Sequence, residues 1–392
     1  MRTPPPPPPP LRTDGSNAFA HYSMSVRVPK ILDEVSARNP DYAPAIHDAV
    51  ARLRDDIRSN ASLPAPAFPA ADAGEWEPAV AARAGETWLG TDWFFAECYA
   101  YHCLLGAVRY WETGRDPFAP AKGAELESAA FAQAVARSVA DRDLTSGGIR
   151  ALLAAALWGN RVDLSYDVGV AFGAAGGHDD LLADDSSDAA ERLLRAPRDV
   201  HVVADNAGSE LAMDLLLVDV LVAGATSAGA RPRVSLHVKA HPTFVSDAMV
   251  ADVWASIAAF EQHGGAAARV ATSLRQAWAD GRLRVLPDPY WNGPRFLWQR
   301  PERLRRELDG ASVVVLKGDA NYRRAVGDAL WPPGVGFAEA TGYLPAPLVA
   351  LRTMKSDALV GVSADERARL DATDPEWRIN GRRGVIQVGG GS

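Results

Sequence analysis

Residues 199–222 read DVHVVADNAGSELAMDLLLVDVLV, and their order decides the fold. The β-branched run Val200–Ala204 has the length of a buried strand and delivers Asp205 and Asn206 to its end, where Gly208 permits a tight turn. Beyond the turn, Leu211, Leu215, Val218 and Val222 recur at helical spacing. The same texture continues downstream, with short strands predicted at Val234–Val238, Leu283–Leu286, Val313–Leu316, Leu348–Leu351 and Val385–Val388. The stretches between them are long enough for crossover helices. This pattern predicts a parallel, doubly wound sheet covered on both faces, in which ligands bind beyond the carboxyl ends of the strands.

Upstream of residue 195 the periodicity is helical. Ile31, Leu32 and Val35 form one stripe, Ile46, Val50 and Leu53 another, and Ile149–Trp158 a third. Residues 93–111, WFFAECYAYHCLLGAVRYW, make the clearest helix, with Phe94, Tyr101, Leu105 and Val108 on one side. A mainly helical domain is therefore expected over 16–195 and an α/β domain over 196–388. Pro4–Pro10 is an unbroken proline run, so residues 1–15 are expected to be a disordered, solvated arm, and the glycines of 389–392 a flexible tail.

Composition narrows the function classes. Lys+Arg is 41 against 49 Asp+Glu in 392 residues, a net charge of −8, which supplies no basic field for nucleic acid. With 47% hydrophobic and 23% charged residues the chain is an ordinary folded protein. Cys98 and Cys103 lie on one predicted helix, about 7.5 Å apart by its rise, which is beyond disulfide reach. Without a secretory or membrane-spanning run, a cytoplasmic protein with no membrane partner is expected.

Three predicted strand ends carry chemistry. Asp205 and Asn206 are oxygen donors suited to a hard cation, although on this segment alone a turn with a helix cap is the better account of them. The strand Val313–Leu316 presents Lys317, Asp319 and Asn321, with Gly318 where the backbone bends. Carboxylates from both ends, with Asn206, would give three protein ligands. The third end presents Arg352, Thr353, Lys355 and Ser356 around Met354, an anion cradle whose cations oppose the dipole of a helix start. Arg382 and Arg383 precede the last strand. In the helical half, Glu97 is either solvent-facing or an acceptor for a substrate hydroxyl, and Asn160 either closes the cleft or caps a helix. Glu210 and Asp214 are placed to support a metal or the helix dipole. His201, His237 and His241 lack an HExxH pattern or a Cys partner and are expected to be core or surface histidines.

The segments ADNAGSELAMDL (204–215), HVKAHPTFVSDAM (237–249), LKGDANYRRAVGD (316–328) and LRTMKSDALVGV (351–362) resemble the metal-dependent damage-control phosphatases. With WFFAECYAYHCL (93–104) and LWGNRVDLS (157–165), the likeness runs from about Phe19 to Val388, toward the branch that includes the acidic-residue (protein-glutamate) O-methyltransferase. It implies an α/β/α sandwich with an N-terminal helical region, and Mn²⁺- or Mg²⁺-dependent hydrolysis of small phosphorylated metabolites such as sugar phosphates, with Co²⁺ or Ni²⁺ as in-vitro substitutes. The family's metal ligands match Asp205, Asn206 and Asp319, and its Arg-Thr-x-Lys motif matches Arg352, Thr353 and Lys355. A basic residue before the final strand falls on Arg382, where relatives often have Lys. Relatives also carry a basic residue near His102 and Asp at Ala240, positions that depart from the pattern here. The competing classes are an S-adenosylmethionine-dependent carboxyl O-methyltransferase, disfavoured by the lone glycine of DNAGSE, and a non-catalytic phosphosugar-binding protein.

Overall fold

The computed structural model describes residues 5–66, 70–140, 143–159, 180–196, 199–224 and 233–391. Seven strands form one sheet: β1 (Leu181–Asp184), β2 (Val200–Val203), β3 (Val234–Val238), β4 (Leu283–Pro287), β5 (Val313–Lys317), β6 (Pro347–Thr353) and β7 (Gly384–Gly390), in the order β1-β7-β6-β5-β2-β3-β4. Every pair is parallel except β6–β7. From β2 the sheet grows one way through β3 and β4, and from β5 the other way through β6. The neighbours β2 and β5 therefore form the switch point, where a crevice opens at the carboxyl ends.

Both faces of the central strands are buried, so their residues alternate between two cores. Val313, Val315, Val349 and Leu351 join the core built on the helix Ser209–Ala223, whereas Val314, Leu316, Leu348 and Ala350 join one containing Tyr322, Leu304 and Leu370. This is a three-layer α/β/α sandwich. A third core belongs to the N-terminal helices, centred on Trp93–Ala107, which buries every residue from Trp93 to Leu105, as expected of a helix that is apolar nearly all round. Cys98 and Cys103 are free thiols there, pushed up to about 12 by burial. No helix among the described residues is long and apolar enough to cross a membrane.

The structure departs from the sequence expectations at the boundaries. β1 lies inside the stretch read as helical, because LLAD is short, half-exposed and without alternation. The helix Ser146–Trp158 packs against β6 and the helix Ser209–Ala223, and Ala129–Ala140 packs onto the helices Ser209–Ala223 and Gly265–Ala279, with Phe131, Val135, Ile149 and Leu152 in the same core, so one layer of the α/β unit begins well before residue 196. The N-terminal arm is docked from Pro10: Leu11 donates to Asp328 O (2.8 Å) and accepts from Trp93 N (2.8 Å), and Thr13 is fully buried. Gly389 and Gly390 extend β7 against Leu348 and Pro347 instead of forming a loose tail.

Candidate active site

The ends of β2 and β5 are fastened together before any functional side chain is added. Asn321 Nδ2 donates to Ala204 O (3.1 Å) and Lys317 O (2.9 Å), holding the two chain exits side by side. Gly318 has φ +83°, and a Cβ there would lie 1.9 Å from Asp205 Oδ2. The Asp205 carboxylate thus rests on the backbone immediately before Asp319, a close approach that only glycine allows. The loop after β3 closes from the side: Ala207 N donates to Ser246 O (2.7 Å), Ala248 N to Asp205 O (2.8 Å) and Ser246 Oγ to Asn206 Oδ1 (2.6 Å). This places Asp247, 2% exposed, opposite Asn206 across an isolated antiparallel bridge.

The electrostatics divide the acidic residues into two kinds. Burial, then the Glu210 and Asp247 carboxylates, push the Asp205 carboxyl well above the usual carboxylate range. Burial also raises Asp247, against the Lys239 ammonium 3.2 Å away. Behind them, Glu210 accepts from Asn206 Nδ2 (2.9 Å) and Lys317 Nζ (3.0 Å), and Lys317 also pairs with Asp214 (2.8 Å), whose carboxyl burial lifts to about 7. Asp319 is different. Burial would raise it, but Arg352, Arg323 and Ser356 together hold it below its ordinary value. Its Oδ1 accepts from Arg352 Nε (2.8 Å), Ser356 Oγ (2.9 Å) and Lys355 N (3.3 Å), and Oδ2 has no hydrogen bond among the described residues. Mutually repelling buried carboxylates beside a carboxamide fit an all-oxygen divalent-cation site, because a cation would remove the repulsion.

The residues at the third strand end serve two purposes. Lys355 is half-buried, its ammonium is in no ion pair among the described residues, and it lowers the Asp205 carboxyl electrostatically. The half-buried hydroxyl of Thr353 ends β6 beside it. Arg352 is turned inward instead: fully buried and stacked 4.3 Å from Tyr322, it donates to Asp319, Ser356 O (2.9 Å), Ser356 Oγ (2.9 Å) and Ala358 O. Its guanidinium and the Ser356 hydroxyl thus shape the loop and aim Asp319, and the expectation that they bind an anion directly gives way. Met354 likewise contributes packing, with its side chain in the core and its N–H and C=O bonded to Arg383 and Gly381. Arg382 lies exposed on the turn that makes those bonds.

Glu97 is 3% exposed and accepts from Arg323 Nη1 (2.7 Å) and Ser23 Oγ (3.3 Å), with partly exposed Arg27 3.8 Å away. The solvent-facing alternative is excluded, and Arg323 already holds the position a substrate hydroxyl would take at Oε2. Asn160 lies outside the described residues.

Asp247 and Lys239 escaped the reading of strand ends, although both sit in the quoted HVKAHPTFVSDAM segment. Also unanticipated is the helix Ala119–Leu126, which grips the site from the helical half. Its Lys122 donates to Asp247 O (2.9 Å), and its Glu125 accepts from Ser209 N (2.8 Å) and packs over Gly208.

A doubly wound sheet whose switch point gathers these acids beside an open lysine belongs to a recognised class. The damage-control phosphatase ARMT1-like domain matches residues 21–370, and the chain belongs to that family of metabolite damage-control phosphatases. Among curated relatives, Damage-control phosphatase ARMT1 of Danio rerio is 26% identical over 427 residues, covering 94% of each chain. The protein of the same name from Xenopus laevis is 28% identical over 343 residues, covering 78% of this chain and 76% of its own. A DUF89 family protein from Pyrococcus horikoshii shares the fold, with a TM-score of 0.50 at 14% identity over 95% of this chain and 98% of that one.

Proposed function

We propose that this phosphatase is a divalent-metal-dependent phosphomonoester hydrolase acting on small phosphorylated metabolites such as sugar phosphates, with Mn²⁺ or Mg²⁺ as the ion. Asp205, Asn206 and the open oxygen of Asp319 would hold the ion, and we add Asp247 as a fourth donor. The bound ion would supply charge neutralisation at phosphoryl oxygens and activation of a water nucleophile. The observation that carries this reading is the Asp205 carboxylate seated on Gly318, next to Asp319 and within the field of Lys355.

Each surrounding residue has a part in this reading. The Lys355 ammonium and the Thr353 hydroxyl would bind the remaining phosphate oxygens, with Arg382 within the same turn system. Arg352 holds Asp319 by Oδ1, which would leave Oδ2 for the ion. Glu210 and Lys317 hold Asn206 in register through a buried charge network. Glu97 acts through Arg323, one helical turn from Asp319, and keeps the helical half seated on the cleft.

A phosphate-release screen over sugar phosphates and nucleotides, run with EDTA and then with Mn²⁺ or Mg²⁺ restored, tests the reading. Release that needs the ion supports it. Metal-independent methyl transfer to carboxylates, or phosphosugar binding without turnover across all the ions, would replace it.

A further inference from the structure

We propose that Asp72, His102 and His241 form a second metal site, separate from the acidic crevice, that takes a borderline ion of the Zn²⁺ kind and staples the helical region to the loop after β3. The three residues come from distant parts of the chain: Asp72 precedes the helix Ala73–Ala81, His102 lies on Trp93–Ala107, and His241 lies in the loop that also carries Asp247. They are 5%, 1% and 4% exposed. One donor atom from each lies within 4.8 Å of the others, the sole such group of His, Cys, Asp or Glu among the described residues. Asp72 Oδ2 is 2.9 Å from His241 Nε2 and 3.8 Å from His102 Nδ1. Tetrahedral zinc with bonds near 2.0–2.1 Å sets neighbouring donors about 3.3 Å apart, between those two distances.

A second observation points the same way. Asp72 Oδ2 accepts from Trp76 Nε1 (2.9 Å) and meets His241, but Oδ1 is buried and has no hydrogen-bond partner among the described residues. A bare carboxylate oxygen in the interior is a costly arrangement, and as a fourth donor it would be satisfied. The ring of His241 is oriented with Nε2 toward Asp72. Asn292, whose Oδ1 accepts from Ala240 N (2.9 Å) and whose Nδ2 donates to His241 O (2.7 Å), presents that Nδ2 to Nδ1 at 3.1 Å, and Pro242 O lies 3.4 Å from the same ring atom, so the ring is held from behind.

The donor set distinguishes the two sites. Two imidazoles and a carboxylate suit zinc, whereas the crevice offers only oxygen to hard ions. Trp76 stacks 4.5 Å from His102 and Trp111 meets His241 edge-on at 5.1 Å, so indoles enclose the group. Enclosure of this sort belongs to a structural ion rather than a reacting one.

The test uses the full chain carrying Asp205→Asn, which disables the crevice and leaves the buried group intact. Purified from zinc-supplemented medium, this variant is expected to retain one zinc per chain, and its Co²⁺-loaded form to show the intense visible bands of tetrahedral cobalt. His241→Gln and His102→Gln in the same background are expected to lose both signals. Should those variants fold poorly, thermal unfolding of the Asp205→Asn protein decides: stripping the zinc is expected to lower its midpoint by several degrees. Absence of zinc and of tetrahedral bands, bands that survive in His241→Gln, or an unchanged midpoint would overturn the site. A failed phosphatase assay would leave each of these readouts untouched.

Discussion

At Gly318 the site depends on a missing methyl group. Alanine there would hold φ +83° at about 1–2 kcal/mol, and its Cβ would lie 1.9 Å from Asp205 Oδ2, so the carboxylate has to move. Gly318→Ala is expected to keep its circular dichroism spectrum and lose at least tenfold in metal-dependent phosphate release. The carboxylates are separable in the same way. Burial raises the carboxyls of Asp205 and Asp247, and Asp247 pushes Asp205 up further, whereas Asp319 is held down by Arg352 and Arg323. Metal titrations should therefore show Asp205→Asn and Asp247→Asn needing at least tenfold more ion, while Asp319→Asn chiefly lowers kcat. That Asp205, Asn206 and Asp319 would gather at one edge of the sheet was legible in the sequence because each lies just beyond a β-branched run. Asp247 was not, since it follows β3 at a distance and is brought in by loop-to-turn hydrogen bonds that carry no periodic signal. Arg352 was misread for a related reason: a basic residue at a strand end looks the same whether its fork meets a phosphate or the next loop's carbonyls.

At the level of elements, the helix Ala119–Leu126 connects the two halves through charge. Lys122 donates to Asp247 O and pairs with Asp252 (2.9 Å) and Asp116 (3.1 Å) while only 6% exposed. Removing one partner of a buried ion pair typically costs about 3–5 kcal/mol, so Lys122→Met is expected to lower the unfolding free energy from urea titration by an amount of that order and to weaken metal activation. In the sheet, His201 Nδ1 lies 2.8 Å from His237 Nε2 across β2 and β3. Burial holds His201 down at about 4 and His237 at about 3, against 6.5 for an open histidine. Between those values and 6.5 the unfolded chain binds protons that the folded one refuses, so stability is whole above 6.5 and falls as the pH drops toward 4. The stability difference between wild type and His237→Leu should change by about 1.4 kcal/mol per pH unit in that window, measured by urea unfolding at a series of pH values. The central strands were readable from composition alone, as runs buried on both faces. β1 was not, because a four-residue edge strand has neither length nor alternation.

Over the whole molecule, the helical half acts as a cover for the switch point. Glu97 and Asp328 share the Arg323 guanidinium, at 2.7 Å each, and Arg323 also lies 3.8 Å from the Trp93 ring, so one buried cation ties the Trp93–Ala107 helix to the element that carries Asp319. Partners 226 residues apart leave no local trace, which is why the docking of the halves and of Pro10–Thr13 could not be read in advance. The most direct measurement is inorganic phosphate released from a sugar phosphate across a Mn²⁺ titration after EDTA stripping, for the wild type and Asp205→Asn in parallel. The predicted result is release by the wild type that vanishes with EDTA and returns with the ion, and a variant curve displaced to at least tenfold higher Mn²⁺. Release that ignores EDTA, or an Asp205→Asn curve that overlays the wild type, would contradict a metal-dependent phosphatase centred on the β2–β5 crevice.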